Sequence, residues 1–119
     1  MKRCIFDKKI MNRQDIINEI KHVIQEIVPG AKVILYGSEA RGDSNENSDI
    51  DILILINQEQ IPPKTKSQIV NNVYDIELKS GVLISPVIYT TKQWENRPYK
   101  TPFYINVLNE GIELWNDHE

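Results

Sequence analysis

Residues 37–51 read GSEARGDSNENSDID, and the rest of the chain is organised around this polar stretch. It lies between two apolar runs, VILY at 33–36 and ILILI at 52–56. Both runs are short, rich in β-branched residues and bounded by turn residues, which is typical of strands. The pattern therefore predicts a strand that ends at Gly37, a polar loop or short helix, and a second strand that begins near Asp49.

Two carboxylates stand at the start of the second strand, at Asp49 and Asp51. Residues two apart on a strand point to the same face, with their Cα atoms roughly 6.6 Å apart. Like charges placed side by side against an apolar core repel and are poorly solvated, and a divalent cation relieves both effects. Mg²⁺ takes one or two carboxylates together with water and substrate phosphates. The pair therefore indicates a magnesium site, with two exposed structural aspartates as the alternative.

The Gly-Ser pair at the other end of the stretch indicates a phosphate-binding turn. Gly37 lets the chain turn sharply out of a strand, and Ser38 is a favourable N-cap for a following helix. Free backbone N–H groups at such a turn attract anions. An anion site beside a carboxylate pair that can hold a metal is what a nucleoside triphosphate requires. Taken alone, Gly37-Ser38 is more typical of an ordinary strand-to-helix turn.

Gly-Ser at 37–38 followed by Asp-x-Asp at 49–51 resembles the signature of the DNA polymerase β-like nucleotidyltransferase superfamily, and most closely that of its small bacterial minimal nucleotidyltransferases. The resemblance is sharp over residues 37–51 and extends in element order from about 14 to 90. It implies a palm-like α/β (α+β) fold, with a small mixed sheet of about three strands and helices packed on it. The matching positions are Gly37, Ser38, Ala40, Arg41, Gly42, Asp43, Ser48, Asp49, Ile50 and Asp51.

The resemblance also implies a function, the transfer of an NMP unit from a nucleoside triphosphate to an acceptor, with AMP from ATP as the favoured case. Asp49 and Asp51 would be the catalytic residues and would bind the cofactor, Mg²⁺ or Mn²⁺. Gly37 and Ser38 would hold the β- and γ-phosphates, and Arg41 would add positive charge there. Similar proteins include antitoxins that pair with HEPN-type toxins and can adenylylate them, so the acceptor could be a partner protein. A homo-oligomer is left open.

Two features depart from the pattern of the family. Glu39 and Asn45 stand where many relatives carry basic residues, which lowers the positive charge expected near the phosphates. The third carboxylate that these enzymes usually bring from a later strand is missing, because no Asp or Glu occurs from 79 through 93, and Asp75 and Glu77 are the nearest acids. The alternative function is therefore a catalytically degenerate domain that binds a nucleotide or a partner, as an antitoxin-like module does.

Composition limits the classes of protein that the chain can belong to. At 119 residues the chain is long enough for one proper core, and we expect residues 1–119 to form one nucleotidyltransferase-like domain. A hydrophobic content of 40% and a net charge of −3 argue against disorder and against non-specific binding to nucleic acid or membranes. One cysteine, no signal peptide and no apolar run of membrane-spanning length predict a cytoplasmic protein.

The remaining elements follow from hydrophobic periodicity and turn residues. Helices are predicted over 14–28, 64–79, 92–96 and 103–110, and strands over 32–36, 49–57 and 82–90. Alternation over 74–79 also allows a short strand there. Pro86 cannot donate to a ladder, which places the third strand at an edge or at a bulge. Residues 1–12 are predicted to form an arm or a short helix.

The same patterns predict which side chains face the core. Apolar residues on both faces of the second strand indicate that helices or a partner cover both faces. Thr91 is predicted to cap the helix at 92–96, and Trp94 and Trp115 to belong to the core, with base stacking as the alternative. The inward-facing helical residues are predicted to be Ile16, Ile20, Val23, Ile24 and Ile27, then Ile69, Val70, Val73 and Ile76, and finally Tyr104, Val107 and Leu108.

Overall fold

The computed structural model of the protein describes residues 12–45, 47–97 and 99–114. Its helices are α1 (Arg13–Ile27), α2 (Ser38–Arg41), α3 (Pro63–Ser80), α4 (Thr91–Glu95) and α5 (Pro102–Glu110). Its strands are β1 (Lys32–Tyr36), β2 (Ile50–Ile56), β3 (Ile84–Thr90) and β4 (Ile112–Leu114). Trp115 and the predicted arm, except for Asn12, lie outside the described residues. No helix in the described ranges is long and apolar enough to cross a bilayer.

The described strands form one mixed sheet in the order β3-β2-β1-β4. β1 runs antiparallel to both β2 and β4, and β2 runs parallel to β3. A crossover that contains α3 therefore joins β2 to β3, whereas the polar stretch joins β1 to β2. The predicted mixed sheet with helices packed on it is confirmed, although the described chain has four strands rather than about three. Sequence reasoning misses β4 because three residues are too few to show a two-residue period.

β2 is the centre of the core, and helices cover both of its faces. Leu53 and Leu55 point to one face, where they pack with Trp94 of α4 and Val107 of α5. The other face packs against buried residues of α1 and α3 and carries four isoleucines, which are Ile50, Ile52, Ile54 and Ile56. Burial of each such side chain contributes about 1.5–3 kcal/mol relative to exposure. Asp51 interrupts this apolar strand, so the packing of its neighbours fixes its backbone.

The helices on the isoleucine face begin and end where the sequence predicts, within a residue or two. The Asn12 side chain caps α1 by accepting a hydrogen bond from the Asp15 N–H at 2.8 Å, and the Asp15 carboxylate accepts one from the Asn12 N–H at 3.3 Å. α3 ends at Gly81, which takes the left-handed conformation with a φ of 78°. The alternative strand over 74–79 is wrong, because those residues lie within α3.

Most of the predicted inward-facing side chains are buried or partly buried, but two are not. Val70 is 43% exposed and Leu108 is 59% exposed. The buried stripe of α3 runs through Ile69, Val73 and Ile76. Val70 lies about 100° around the helix from Ile69, which turns it away from the sheet. A sequence pattern alone does not decide which of two adjacent apolar residues faces the core.

β3 lies at one edge of the sheet, and α4 follows it directly in the chain. β3 is an edge strand among those described, as Pro86 predicts, and it begins at Ile84 rather than at residue 82. The cap of α4 is one residue earlier than predicted, since Thr90 and not Thr91 accepts a hydrogen bond from the Gln93 N–H at 3.0 Å.

Trp94 is a core residue, as predicted. It is 6% exposed, and its ring centroid lies 4.7 Å from that of Tyr104 and 5.9 Å from that of Phe103. The Arg97 guanidinium lies over the same ring, 4.8 Å from its centroid. Because protein groups cover the indole, it is not presented to a nucleotide base.

Candidate active site

The Gly-Ser turn joins the end of β1 to a helix of a single turn. Gly37 adopts φ 77° and ψ −154°, a combination that is essentially restricted to glycine. The Arg41 N–H donates to the Gly37 carbonyl and the Gly42 N–H to the Ser38 carbonyl, both at 3.0 Å. The prediction that Ser38 is the N-cap is wrong, because Gly37 holds that position and Ser38 is the first residue of α2. Gly37 has no side chain that could cap α2, and the first N–H groups of a helix lack an acceptor within it.

A carboxylate lies directly against this turn. A Cβ atom built on Gly37 would stand 2.6 Å from Asp51 Oδ2, closer than non-bonded atoms approach. Glycine is therefore required at 37 for two independent reasons, which are its backbone conformation and the space that the carboxylate occupies. The fold brings together the turn and one carboxylate of the Asp-x-Asp pair, two features that the sequence presents separately.

Asp51 lies at the start of β2 between two fully buried isoleucines. In the sheet it is aligned with Tyr36 of β1 and with Ser85 of β3. Burial, and then the charge of Asp49, raise the pKa of Asp51 above its ordinary value, while Arg41 lowers it. The ionised carboxylate is therefore poorly solvated and faces a like charge, a combination that a bound cation would relieve.

Asp49 precedes β2 by one residue and is exposed. The next N–H group, that of Ile50, donates to the Leu83 carbonyl at 2.9 Å, which ties this end of β2 to the start of β3. Asp49 lies close enough to Asp51 to raise the pKa of Asp51. The two carboxylates thus lie in one region, at the end of the sheet where β1 leads into the turn.

Arg13, which the sequence does not single out, connects the two ends of the motif. Its Nε donates to Glu39 Oε1 and its Nη2 to the Ser48 carbonyl, both at 2.7 Å. The Arg13 and Glu39 side chains are only 19% and 13% exposed. Glu39 therefore does not present a free negative charge to a phosphate, because Arg13 neutralises it. The contacts span 26 and 35 residues, so no local pattern reveals them.

Arg41 lies near the carboxylates and is already paired. Its Nε donates to Asp43 Oδ2 at 3.3 Å and its Nη1 to Glu110 Oε1 at 3.1 Å. The side chain is 48% exposed, and its charge lowers the pKa of Asp51. Exposed ion pairs of this kind contribute little to stability, so Arg41 can turn towards an anionic ligand at little cost.

No third acid joins the pair within the described residues. Ser85 is the β3 residue aligned with Asp51, and it is exposed. The Glu77 carboxylate accepts a hydrogen bond from the Ile84 N–H at 3.0 Å, so it caps the start of β3 instead. Asp75 is exposed on α3. The described part of the chain holds no group of three His, Cys, Asp or Glu residues placed to bind a metal.

The donor set fits a hard divalent cation held partly by its substrate. Mg²⁺ in phosphate-handling sites takes one or two carboxylates, and water and phosphate oxygens fill its other positions. Burial and the charge of Asp49 raise the pKa of Asp51, and a bound cation would relieve both effects. Asp49 and Asp51 are the residues that could hold the metal.

Tyr36 also borders the pair, and sequence reasoning does not identify it. It is aligned with Asp51, and its ring packs edge-on against that of Phe103 with centroids 5.3 Å apart. Burial, and then the charges of Asp51 and Tyr89, raise the pKa of Tyr36 to about 12. Its hydroxyl is therefore protonated at neutral pH and can donate a hydrogen bond. Its only signal in the sequence is its place directly before Gly37.

The fold and the site define a class of protein, because a mixed sheet in which a Gly-Ser turn meets an Asp-x-Asp strand is typical of nucleotidyltransferase domains. Residues 17–113 match the family model described as "Nucleotidyltransferase domain". The chain belongs to this family, and its resemblance to the small minimal nucleotidyltransferases of the polymerase β-like superfamily is confirmed.

Two proteins of Methanocaldococcus jannaschii are similar to this chain in sequence. "Putative protein adenylyltransferase MJ0141" is 40% identical over 102 residues, which cover 84% of this chain and 96% of that protein. "Putative protein adenylyltransferase MJ0604" is 33% identical over 107 residues, which cover 88% of this chain and 100% of that protein. The matches extend over nearly the whole of both relatives.

Two solved structures share the fold. One is titled "Crystal structure of the toxin-antitoxin with AMP-PNP" and gives a TM-score of 0.57 at 22% identity, covering 85% of this chain and 73% of that chain. The other, titled as a putative nucleotidyltransferase from Sulfolobus solfataricus, gives a TM-score of 0.53 at 17% identity, covering 100% of this chain and 92% of that chain. At these identities the likeness concerns the fold, and it confirms the predicted fold class.

Proposed function

We propose that the protein is a Mg²⁺-dependent adenylyltransferase that moves AMP from ATP to a hydroxyl group of a partner protein. The observation that carries the proposal is the contact between the Gly37 turn and the Asp51 carboxylate, where an added Cβ atom would lie 2.6 Å from Oδ2. A phosphate-binding turn and metal-binding carboxylates must be adjacent if one nucleotide is to touch both. The names of the two Methanocaldococcus relatives support an adenylyl group as the transferred group and a protein as the acceptor.

In the proposed reaction, the acceptor oxygen forms a bond to the α-phosphorus of ATP. The bond from this phosphorus to the α–β bridging oxygen breaks, pyrophosphate leaves with the electron pair, and the acceptor proton passes to solvent. Asp49 and Asp51 would hold Mg²⁺, which supplies positive charge to the triphosphate and the leaving group. The contribution of the chain itself is then mainly to position the reactants and to supply fixed charges.

The other proposed roles follow from the geometry of the turn. Gly37 and Ser38 would hold the β- and γ-phosphates, because the first N–H groups of α2 lack an acceptor within the helix and attract anions. Arg41 would exchange the Glu110 carboxylate for a phosphate oxygen, which its exposed position permits. The triphosphate would then lie between α2 and the carboxylate pair.

The test uses ATP labelled on the α-phosphate, incubated with Mg²⁺, the purified protein and a cell lysate. Kinases in the lysate also transfer γ-phosphate, so each band is compared with that of lysate incubated without the protein. We expect the protein to add α-label to a band and to add no γ-label to it, because the γ-phosphate leaves with pyrophosphate. The matched control is the double variant Asp49→Asn/Asp51→Asn, which removes both charges with little change in side-chain volume. Transfer of the γ-label, or equal transfer of the α-label by the variant, would contradict the proposal.

One observation favours a second candidate, a catalytically degenerate domain that binds a nucleotide and a protein partner. Ser85 stands where β3 is aligned with Asp51, and no third acid in the described chain joins the pair. This candidate predicts that Mn²⁺ and ATP bind while no label moves. The toxin–antitoxin neighbour supports a protein partner in either case, and a HEPN-type protein is the partner we propose to test first, by co-purification. A co-purified partner that accepts the α-label favours the enzyme, and one that stays unlabelled favours the binding domain.

A further inference from the structure

The side chain of Arg13 bridges two segments that are far apart in the sequence. Its Nε donates to Glu39 Oε1, in the helix that begins at the Gly37 turn, at 2.7 Å. Its Nη2 donates to the carbonyl oxygen of Ser48, the residue before Asp49, also at 2.7 Å. One guanidinium at the start of α1 therefore contacts both the proposed phosphate side and the proposed metal side of the site.

The burial of this bridge distinguishes it from an ordinary surface ion pair. The Arg13 and Glu39 side chains are 19% and 13% exposed, whereas those of the Lys92–Glu59 pair are 65% and 80% exposed. Arg13 Nη1 is buried as well and makes no hydrogen bond. A planar guanidinium with two short bonds in a fixed fork holds its acceptors at a set separation, which a flexible ammonium group cannot do.

We propose that Arg13 is a positioning residue that sets the affinity of the protein for a divalent cation bound to a nucleoside triphosphate. The inference rests on the proposed function, in which the nucleotide touches residues 37–38 and the metal touches Asp49 and Asp51. A metal–nucleotide complex must span both parts, so it gains from a bridge that fixes the distance between them. A metal ion alone needs only the carboxylates and gains little.

The difference between these two ligands distinguishes a positioning role of Arg13 from a role in stability alone. Loss of stability would lower the binding of both ligands in proportion to the unfolded fraction. Loss of positioning would weaken the metal–nucleotide complex selectively. The relevant measurement is therefore a pair of dissociation constants, one for Mn²⁺ alone and one for Mn²⁺ with a non-hydrolysable ATP analogue, at a temperature where every variant is folded by circular dichroism.

The first test variant is Arg13→Lys, which keeps the charge but cannot hold both acceptors in one plane. We expect about tenfold weaker binding of the Mn²⁺–analogue complex, with the affinity for Mn²⁺ alone changed by less than about twofold, in the range found when outer-shell contacts of metal sites are removed. The control variant is Lys92→Met, which removes an exposed ion pair with Glu59 at the opposite end of β2 and should change neither constant.

Glu39→Gln provides a second test, because two possible roles of Glu39 predict opposite changes in the affinity for the Mn²⁺–analogue complex. If Glu39 acts only as a negative charge near the phosphates, its neutralisation should strengthen binding of the Mn²⁺–analogue complex. If Glu39 is the anchor of the Arg13 bridge, the same change should weaken that binding. This variant also keeps the inference testable if Arg13→Lys does not fold.

Binding by the wild-type protein tests the proposed function, whereas the comparison with the variants tests the positioning role of Arg13. A wild-type protein that fails to bind the Mn²⁺–analogue complex overturns both the proposed function and this inference. A wild-type protein that binds it, together with an unchanged Arg13→Lys, an equal loss for both ligands or tighter binding by Glu39→Gln, overturns the positioning role alone.

Discussion

Replacement of Gly37 by alanine is expected to destabilise the protein and to displace the Asp51 carboxylate. The backbone at 37, with φ 77° and ψ −154°, lies in a region where an L-residue is strained by about 1–3 kcal/mol. The added Cβ would stand 2.6 Å from Asp51 Oδ2, whereas ordinary contacts begin at 3.4 Å, so the carboxylate must move by about 0.8 Å. The backbone of β2 cannot follow, because its flanking isoleucines are fully buried. The side chain must therefore rotate away.

Gly30→Ala is the matched control for this variant. Gly30 has a φ of 91°, and nothing lies within 4 Å of a Cβ built there. It should show a backbone strain of about 1–2 kcal/mol without any effect on the carboxylates. Thermal unfolding followed by circular dichroism should show lower midpoints for both variants, by roughly 4 °C for each kcal/mol. The affinity for Mn²⁺, followed by the electron paramagnetic resonance signal of free Mn²⁺, should fall about tenfold in Gly37→Ala alone.

A Gly37→Ala protein that binds Mn²⁺ as tightly as Gly30→Ala does would contradict the expected loss of a metal ligand. In that case the displaced carboxylate is not a metal ligand. A Gly37→Ala protein with the midpoint of the wild type would show instead that the turn is not held in the glycine conformation.

Three further changes have defined outcomes. In EDTA at pH 7, Asp51→Asn should raise the unfolding midpoint, because the raised pKa of Asp51 in the folded protein means that the ionised carboxylate disfavours folding. The gain should shrink as the pH falls through that pKa towards 3.8, and a gain that does not change with pH would contradict this reasoning. Ser85→Asp should increase transfer of the α-label with little change in stability, since residue 85 is exposed and aligned with Asp51; unchanged transfer would show that a missing third acid is not limiting. Glu110→Gln should tighten calorimetric binding of an ATP analogue by up to about fivefold, because it removes the charge of one of the two carboxylates that pair with Arg41. Weaker binding would contradict a phosphate contact by that arginine.

β1 and β2 can be predicted from sequence, and so can the place of the carboxylate pair, because each depends on local order. Two β-branched runs with a polar break between them define β1 and β2, and Gly37 meets the need for a sharp turn. β4 cannot be predicted in this way, since its three residues become a strand only by pairing with β1. The orientation of α3 is a similar case. Ile69 and Val70 are adjacent and both apolar, and packing against the sheet buries only the first.

The contacts that hold the site together are less visible in the sequence than its acids are. Glu39 places a negative charge beside the turn, and the sequence does not reveal that Arg13, 26 residues away, pairs with it. Serine is a favourable N-cap residue, which suggests Ser38 for that position. The N-cap is instead Gly37, because of its backbone conformation. In both cases a long-range contact or a backbone angle decides the outcome, and neither has a local signal.

If the Gly37 turn and the Asp49–Asp51 pair form one site, a single metal–nucleotide complex should contact both. Anomalous diffraction from crystals grown with Mn²⁺ and a non-hydrolysable ATP analogue would locate the metal and the phosphates together. We expect a Mn²⁺ peak about 2.1 Å from an oxygen of each carboxylate, with phosphate oxygens against the backbone of residues 37–38. A peak away from Asp51, or a triphosphate that makes no contact with residues 37–38, would contradict it.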